Sequence, residues 1–119
     1  MARHNDLGKA GEEIAARWLT EKGFVILQRN WRHRRSEVDI IAIRQKTYHF
    51  IEIKSGRGKA YGSPEDRVGK TKLQHMMRVA AHWQYLHPIP SGYRVQYDVL
   101  AIQWLNEGPE YFLFEDVSV

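Results

Sequence analysis

The chain contains no cysteine, which excludes disulfides, thiolate metal sites and cysteine nucleophiles outright and fits a reducing compartment weakly. No apolar stretch approaches the ~18 residues of a membrane span, so no membrane partner is expected. The opening MARHNDLGKAGEE lacks the apolar core of a signal peptide, and the sequence reads as cytoplasmic. Low-complexity segments, repeats and linkers are also missing, so residues 1–119 are expected to form a single domain. A chain of this length buries about two-thirds of its unfolded surface. Its six histidines show no close ligand spacing, which argues against structural zinc. Acids are outnumbered, 14 against 18 Lys and Arg, for a net charge of +4. Eleven of those basic residues are arginine, a mild lean towards a polyanionic partner, because arginine binds phosphate bidentately.

The feature that stands out against this ordinary background is charge inside apolar strands. Glu37-Val38-Asp39 leads into VDIIAI (38–43), and Glu52-Ile53-Lys54 closes FIEIK (50–54). Desolvating an unpaired carboxylate or ammonium costs several kcal/mol or more, so such runs normally exclude both. Residues i and i+2 of a strand share a face, which puts Glu52 beside Lys54, and a short hairpin would bring Asp39 to them. Two carboxylates and an amine at one point can hold a divalent metal and activate water for phosphodiester hydrolysis. The competing reading is a salt-bridge cluster on a solvated face.

The expected order is α-β-β-β-α-β-β, an α/β arrangement with a central mixed sheet flanked by helices. A first helix would be capped by Asn5 or Asp6 and ended by Gly23. Its inner stripe would be Leu7, Ala10, Gly11, Ile14, Ala15 and Trp18. Glu13 points away from that stripe and can pair with Arg17, whereas Glu12 lies near its border and can face inward. Strands are expected over 24–28, 38–43, 48–54, 93–104 and 111–114. A basic loop, Arg29 to Arg35, would follow the first strand, with a turn at Arg44-Gln45-Lys46 after the second. A glycine-rich flexible loop, Ser55 to Gly62, would follow the third. Ser63-Pro64-Glu65-Asp66 reads as a helix start that Gly69 interrupts. The main helix, 71–86, would bury Leu73, Met76, Met77, Ala80, Trp83 and Leu86.

Taken together, Gly11-Glu12, Trp18-Leu19, Gly23-Phe24, Arg29-Asn30-Trp31, Glu37-Val38-Asp39-Ile40-Ile41-Ala42, Phe50-Ile51-Glu52-Ile53-Lys54, Gly62-Ser63-Pro64 and Lys72 resemble the uncharacterised YraN-like family. That family is a branch of the PD-(D/E)XK nuclease superfamily, related to Holliday-junction resolvases and restriction endonucleases. The resemblance runs from Gly8 to about Ile102 and implies a restriction endonuclease-like fold. It implies that Glu12, Asp39 and Glu52 bind metal and that Lys54 orients or activates water, with Asp39, Glu52 and Lys54 as the catalytic set. Glu37 matches the pattern too, either behind the ligands or in a loop salt bridge. Ser55-Gly56-Arg57 replaces the family's usual Thr-Arg, and Gln96-Tyr97-Asp98 its Arg-Phe-Asp. Carboxylate ligands suit Mg²⁺ or Mn²⁺. Resolvase relatives act as dimers, which carries a homodimer as an expectation, with Trp104, Tyr111 and Phe112 as exposed apolar candidates.

Nucleic acid, above all DNA, is the expected partner. Arg32, Arg34 and Arg35 can grip a phosphate backbone while Trp31 stacks on a base, or the segment is a solvated loop with Trp31 in the core. Arg57 and Lys59, beside Gly56 and Gly58, would reach phosphates next to the proposed site. Lys72 would do so from a helix start, or is a plain surface lysine. Gly69-Lys70-Thr71 only imitates a phosphate-binding loop, since Pro64 stands where its first glycine belongs. The leading reading is a metal-dependent nuclease acting on DNA, branched or damaged. The alternatives are a non-cleaving nucleic-acid-binding module and a partner-binding protein whose strand charges are structural.

Overall fold

The structure, a computed structural model, describes residues 2–57 and 70–117, with side chains over 9–57 and 71–117. The elements are α1 (Ala2–Glu21), β1 (Val25–His33), β2 (Ser36–Arg44), β3 (Thr47–Arg57), α2 (Lys70–Leu86), β4 (Arg94–Leu105) and β5 (Gly108–Phe114). Their order is the expected one. The strands form one sheet, β1-β2-β3-β4-β5, antiparallel throughout except for the parallel pair β3–β4. A parallel pair needs a crossover, and α2 lies within it.

The helices cover opposite faces. Leu73, Met76, Val79, Ala80 and Trp83 of α2 pack with Val38, Ile41, Phe50 and Val99. Ala15 and Leu19 of α1 pack with Phe24, Ile40, Ala42, Ile51, Leu100 and Ile102 on the other side. This double burial explains the unbroken apolar run in β2, where Ile40, Ile41 and Ala42 are each at most 1% exposed. No helix of the described residues is long and apolar enough to cross a membrane.

Both ends of α1 differ in how well sequence anticipates them. The helix starts at Ala2, ahead of the Asn5 or Asp6 cap expected for it. Gly23 ends it as expected, with φ 95°. There the Phe24 amide donates to Leu19 O (3.0 Å) and the Gly23 amide to Thr20 O (3.1 Å), the paired bonds of a Schellman motif. Ala10 is exposed rather than buried, and fully buried Leu19 completes the inner stripe. On α2, Val79 is buried in the core, while Leu86 is 51% exposed because it lies at the last turn of the helix.

Two segments expected as loops are strand. Arg29 to His33 continue β1 against β2, as far as His33↔Ser36, and only Arg34 and Arg35 turn. Ser55, Gly56 and Arg57 continue β3, held by parallel pairing through Arg57↔Trp104. Backbone pairing overrides the glycine and charge content here. The β2–β3 turn places Gln45 and Lys46 at φ 50° and 62°, the twist a two-residue hairpin requires. The expected helix start at Ser63-Pro64 and the break at Gly69 lie outside the described residues.

Candidate active site

Pairing between β2 and β3 runs from Arg44↔Thr47 to Ile40↔Ile51 and goes no further. Beyond it the strands part, and β3 stays anchored to β4 alone. Alternation in β2 also breaks at this fork. Val38 and Ile40 should share a face, yet Val38 packs on the α2 side and Ile40 on the α1 side. The freed Ile53 amide donates to Asp39 Oδ2 at 2.7 Å, a side-chain bond standing in for the lost ladder.

A cavity of about 740 Å³ opens at the fork, lined from both helices and both strands. Glu12, Asp39, Glu52 and Lys54 all border it, with Glu37, Arg35, Arg57 and Lys72 at its walls. Asp39, Glu52 and Lys54 thus converge as the spacing suggested, and Glu12 joins them from α1. Glu52 is only 7% exposed, which rules out a solvated-face cluster. Its Oε2 lies 3.5 Å from both Lys54 Nζ and Lys72 Nζ. Lys72 is therefore neither free on the surface nor poised only for phosphate, since it shares the carboxylate with Lys54.

Gly11 explains how α1 delivers Glu12. A Cβ at residue 11 would stand 3.2 Å from Ser55 Oγ, so only glycine lets the helix lie this close to β3 without pushing the serine aside. Ser55 is itself fixed, accepting from Trp104 Nε1 at 2.9 Å. Asn30 Nδ2 donates to Glu12 Oε1 at 3.3 Å. Glu13 turns outward as expected, but its partner is Arg29 at 2.7 Å rather than Arg17.

The electrostatics follow from this crowding. Burial, then the Glu52 carboxylate, pushes the Asp39 pKa up to about 7, with Glu37 and Glu12 adding to the rise and the Ile53 amide opposing it. Burial, with Lys72 alongside, pushes Lys54 below the ordinary lysine value, while Glu52 resists. Lys72 is held above it, because contact with Lys54 and Glu52 outweighs its own burial. Excess negative charge around Asp39 is the condition a cation relieves, and the oxygen donors suit a hard one.

The expected basic contacts separate. Arg35 and Arg57 reach the cavity. Arg32 pairs with Glu37 at 3.1 Å, so Glu37 has the salt bridge as well as the cavity position. Arg34 is exposed on the turn, at φ 60°. Lys59 lies outside the described residues. Trp104 and Tyr111, expected as exposed apolar candidates, pack instead against the α1-side core, Tyr111 stacking on Trp18 at 5.0 Å. Phe112 is half-buried.

A second polar cluster has no signal in the sequence. His49, Asp98 and Glu115 have ligand atoms within 4.8 Å of one another. Hydrogen bonds already engage these atoms: Asp98 Oδ2 with His49 Nδ1 (2.6 Å), and Asp98 Oδ1 with Gln96 Nε2 (3.1 Å) and the Asp116 amide (2.9 Å). Glu115 Oε1 accepts from Arg44 and Gln96. The cluster ties the chain after β5 to the start of β4.

A model described as "Uncharacterised protein family UPF0102" matches residues 11–102, a span that includes every acid and lysine at the cavity. The UPF0102 protein of Rhodococcus jostii is 42% identical over 113 residues, 92% of each chain. That of Clavibacter michiganensis is 36% identical over 108 residues, 91% of each chain. That of Chlorobium phaeobacteroides is 42% identical over 98 residues, 82% of this chain and 77% of its own. With the family model and these relatives covering most of its length, the chain belongs to UPF0102, the YraN-like family.

Proposed function

We propose that this protein is a metal-dependent nuclease that hydrolyses phosphodiester bonds in DNA, with branched or damaged duplexes as its substrates. The observation that carries the reading is the meeting of Glu12, Asp39, Glu52 and Lys54 at one cavity. Beside it stands the resemblance of the Asp39 and Glu52-Ile53-Lys54 spacing to PD-(D/E)XK nucleases. Glu12, Asp39 and Glu52 would hold Mg²⁺ or Mn²⁺, which when bound polarises a phosphate oxygen and lowers the pKa of water.

The chain's own residues divide the remaining work. The Ile53 amide fixes one Asp39 oxygen and leaves the other for the cavity. Lys54 Nζ, restrained by Glu52, stabilises the charge that develops on the phosphorane or holds the attacking water by a hydrogen bond. Lys72 keeps Glu52 partnered when Lys54 turns to substrate. Arg35 and Arg57 at the cavity walls position the flanking phosphates.

One observation favours a second reading, a DNA-binding module that does not cleave. The two lysines already satisfy Glu52 without a metal. Binding of Mn²⁺, followed by its electron paramagnetic resonance signal, separates the two. The nuclease reading expects wild-type protein to bind Mn²⁺ and Asp39→Asn to bind at least about tenfold more weakly. Equal binding by both, or none by either, would overturn it.

A further inference from the structure

Beside the cavity lies a group of rings that the chemistry above does not use. The imidazoles of His33, at the end of β1, and His82, on α2, stack at 3.7 Å with planes 20° apart. Trp31 packs against the α2-side core, as one of its two expected readings had it, and backs His82 at 5.7 Å with planes 29° apart, while Tyr85 extends the row at 6.5 Å from His82. Tyr85 is 81% exposed, and both histidines are half-buried. Among the described residues neither imidazole has a hydrogen bond or ion pair. Burial, the His82 ring and Arg34 all lower the His33 pKa, which favours a neutral ring face at neutral pH.

The position of this row gives it a use. His33 pairs with Ser36, a cavity-lining residue. On α2, His75 also lines the cavity, and His75, Arg78, His82 and Tyr85 fall on one helical stripe. His82 stands seven residues beyond His75, about 10 Å along the axis. That is about three nucleotide steps of a duplex strand at ~3.4 Å each. Exposed Arg34, Arg35 and Arg78 flank the same path. Flat rings with free ring nitrogens, edged by arginine, match a nucleobase and its phosphates.

We propose that His33, His82 and Tyr85, backed by Trp31, form a stacking shelf for an unpaired DNA base a few nucleotides from the cavity. The preferred substrate is then a duplex with a single-stranded flap or branch rather than a blunt duplex. This rests on the DNA reading above, but on binding only and not on turnover.

The test is a metal-free titration with a short-flap duplex carrying 2-aminopurine in the flap, whose fluorescence falls when the base stacks. The flap should bind about tenfold tighter than the blunt duplex, because only the flap offers an unpaired base to stack. Quenching should accompany binding. His82→Ala should lose the preference and the quenching, His82→Phe should retain both, and Arg78→Ala should weaken flap and blunt duplex alike. Equal affinity for flap and blunt DNA, or binding without quenching in the wild type, would overturn the shelf whatever the variants do. A shelf that passes in a protein that never cleaves would leave it standing while removing the nuclease reading.

Discussion

Asp39 Oδ2 accepts the Ile53 amide hydrogen at 2.7 Å, at the place where β2 and β3 have ceased to pair. The bond links the fold to the candidate site. It closes the sheet's fork with a side chain, and it holds that carboxylate at the cavity among Glu12, Glu37 and Glu52.

The metal-free protein should therefore lose stability as pH rises. Asp39 has its pKa raised from 3.8 to about 7, so between those values the folded chain keeps a proton that the unfolded chain has released. Stability from this group is full below about pH 4 and falls until about pH 7. Chemical denaturation at pH 5 and pH 8 should show wild type losing ~2–4 kcal/mol over Asp39→Asn across that interval. Mg²⁺ should restore the loss above pH 7, and parallel slopes for the two proteins would contradict this.

Lys54→Met should separate catalysis from folding. Glu52 keeps Lys72 as a partner in the variant, so melting should shift by no more than the equivalent of ~1–2 kcal/mol. Cleavage should fall at least ~100-fold. Glu52→Gln should behave differently, leaving two neighbouring ammoniums without their carboxylate and costing ~3–5 kcal/mol. Urea denaturation of both variants provides the comparison.

Gly11→Ala tests the close approach of α1. In an ordinary helix interior this change adds ~1 kcal/mol of stability. Here the new methyl meets Ser55 Oγ at 3.2 Å, so the gain should vanish, and Gly11→Val should cost ~1–3 kcal/mol and weaken Mn²⁺ binding by moving Glu12. A stabilised Gly11→Ala would show that the helix is free to shift.

Much of this was legible in the sequence, for definable reasons. Apolar runs with sharp turn residues mark the strands, and charge inside such runs marks Asp39, Glu52 and Lys54. Glu12 was visible as the glutamate nearer the helix's apolar stripe. What was not legible depends on contacts between distant residues. Arg29 to His33 look like loop because their charges hide the pairing with β2 that makes them strand. The break in alternation between Val38 and Ile40 leaves no mark, because both residues are apolar and both are buried. Sharing of Glu52 by Lys54 and Lys72 spans a segment that sequence spacing cannot bridge. The stacking of His33 on His82, and the hydrogen bond between His49 and Asp98, likewise join residues about fifty positions apart.

Asp98→Ala should injure the fold rather than the chemistry. It strips partners from His49, Gln96 and the Asp116 amide at a fully buried position, a loss of ~3–5 kcal/mol. Amide exchange should rise first at Asp116 and Val117, which this carboxylate and Tyr97 O hold in place. Unchanged exchange there would contradict the role given to the cluster.

The most direct test of the nuclease reading is cleavage of labelled flap, branched and linear DNA in Mn²⁺, comparing wild type with Asp39→Ala. The expected result is metal-dependent cleavage of at least the flap or branched substrate by wild type and none by the variant. No cleavage of any substrate, or equal cleavage by Asp39→Ala, would contradict it.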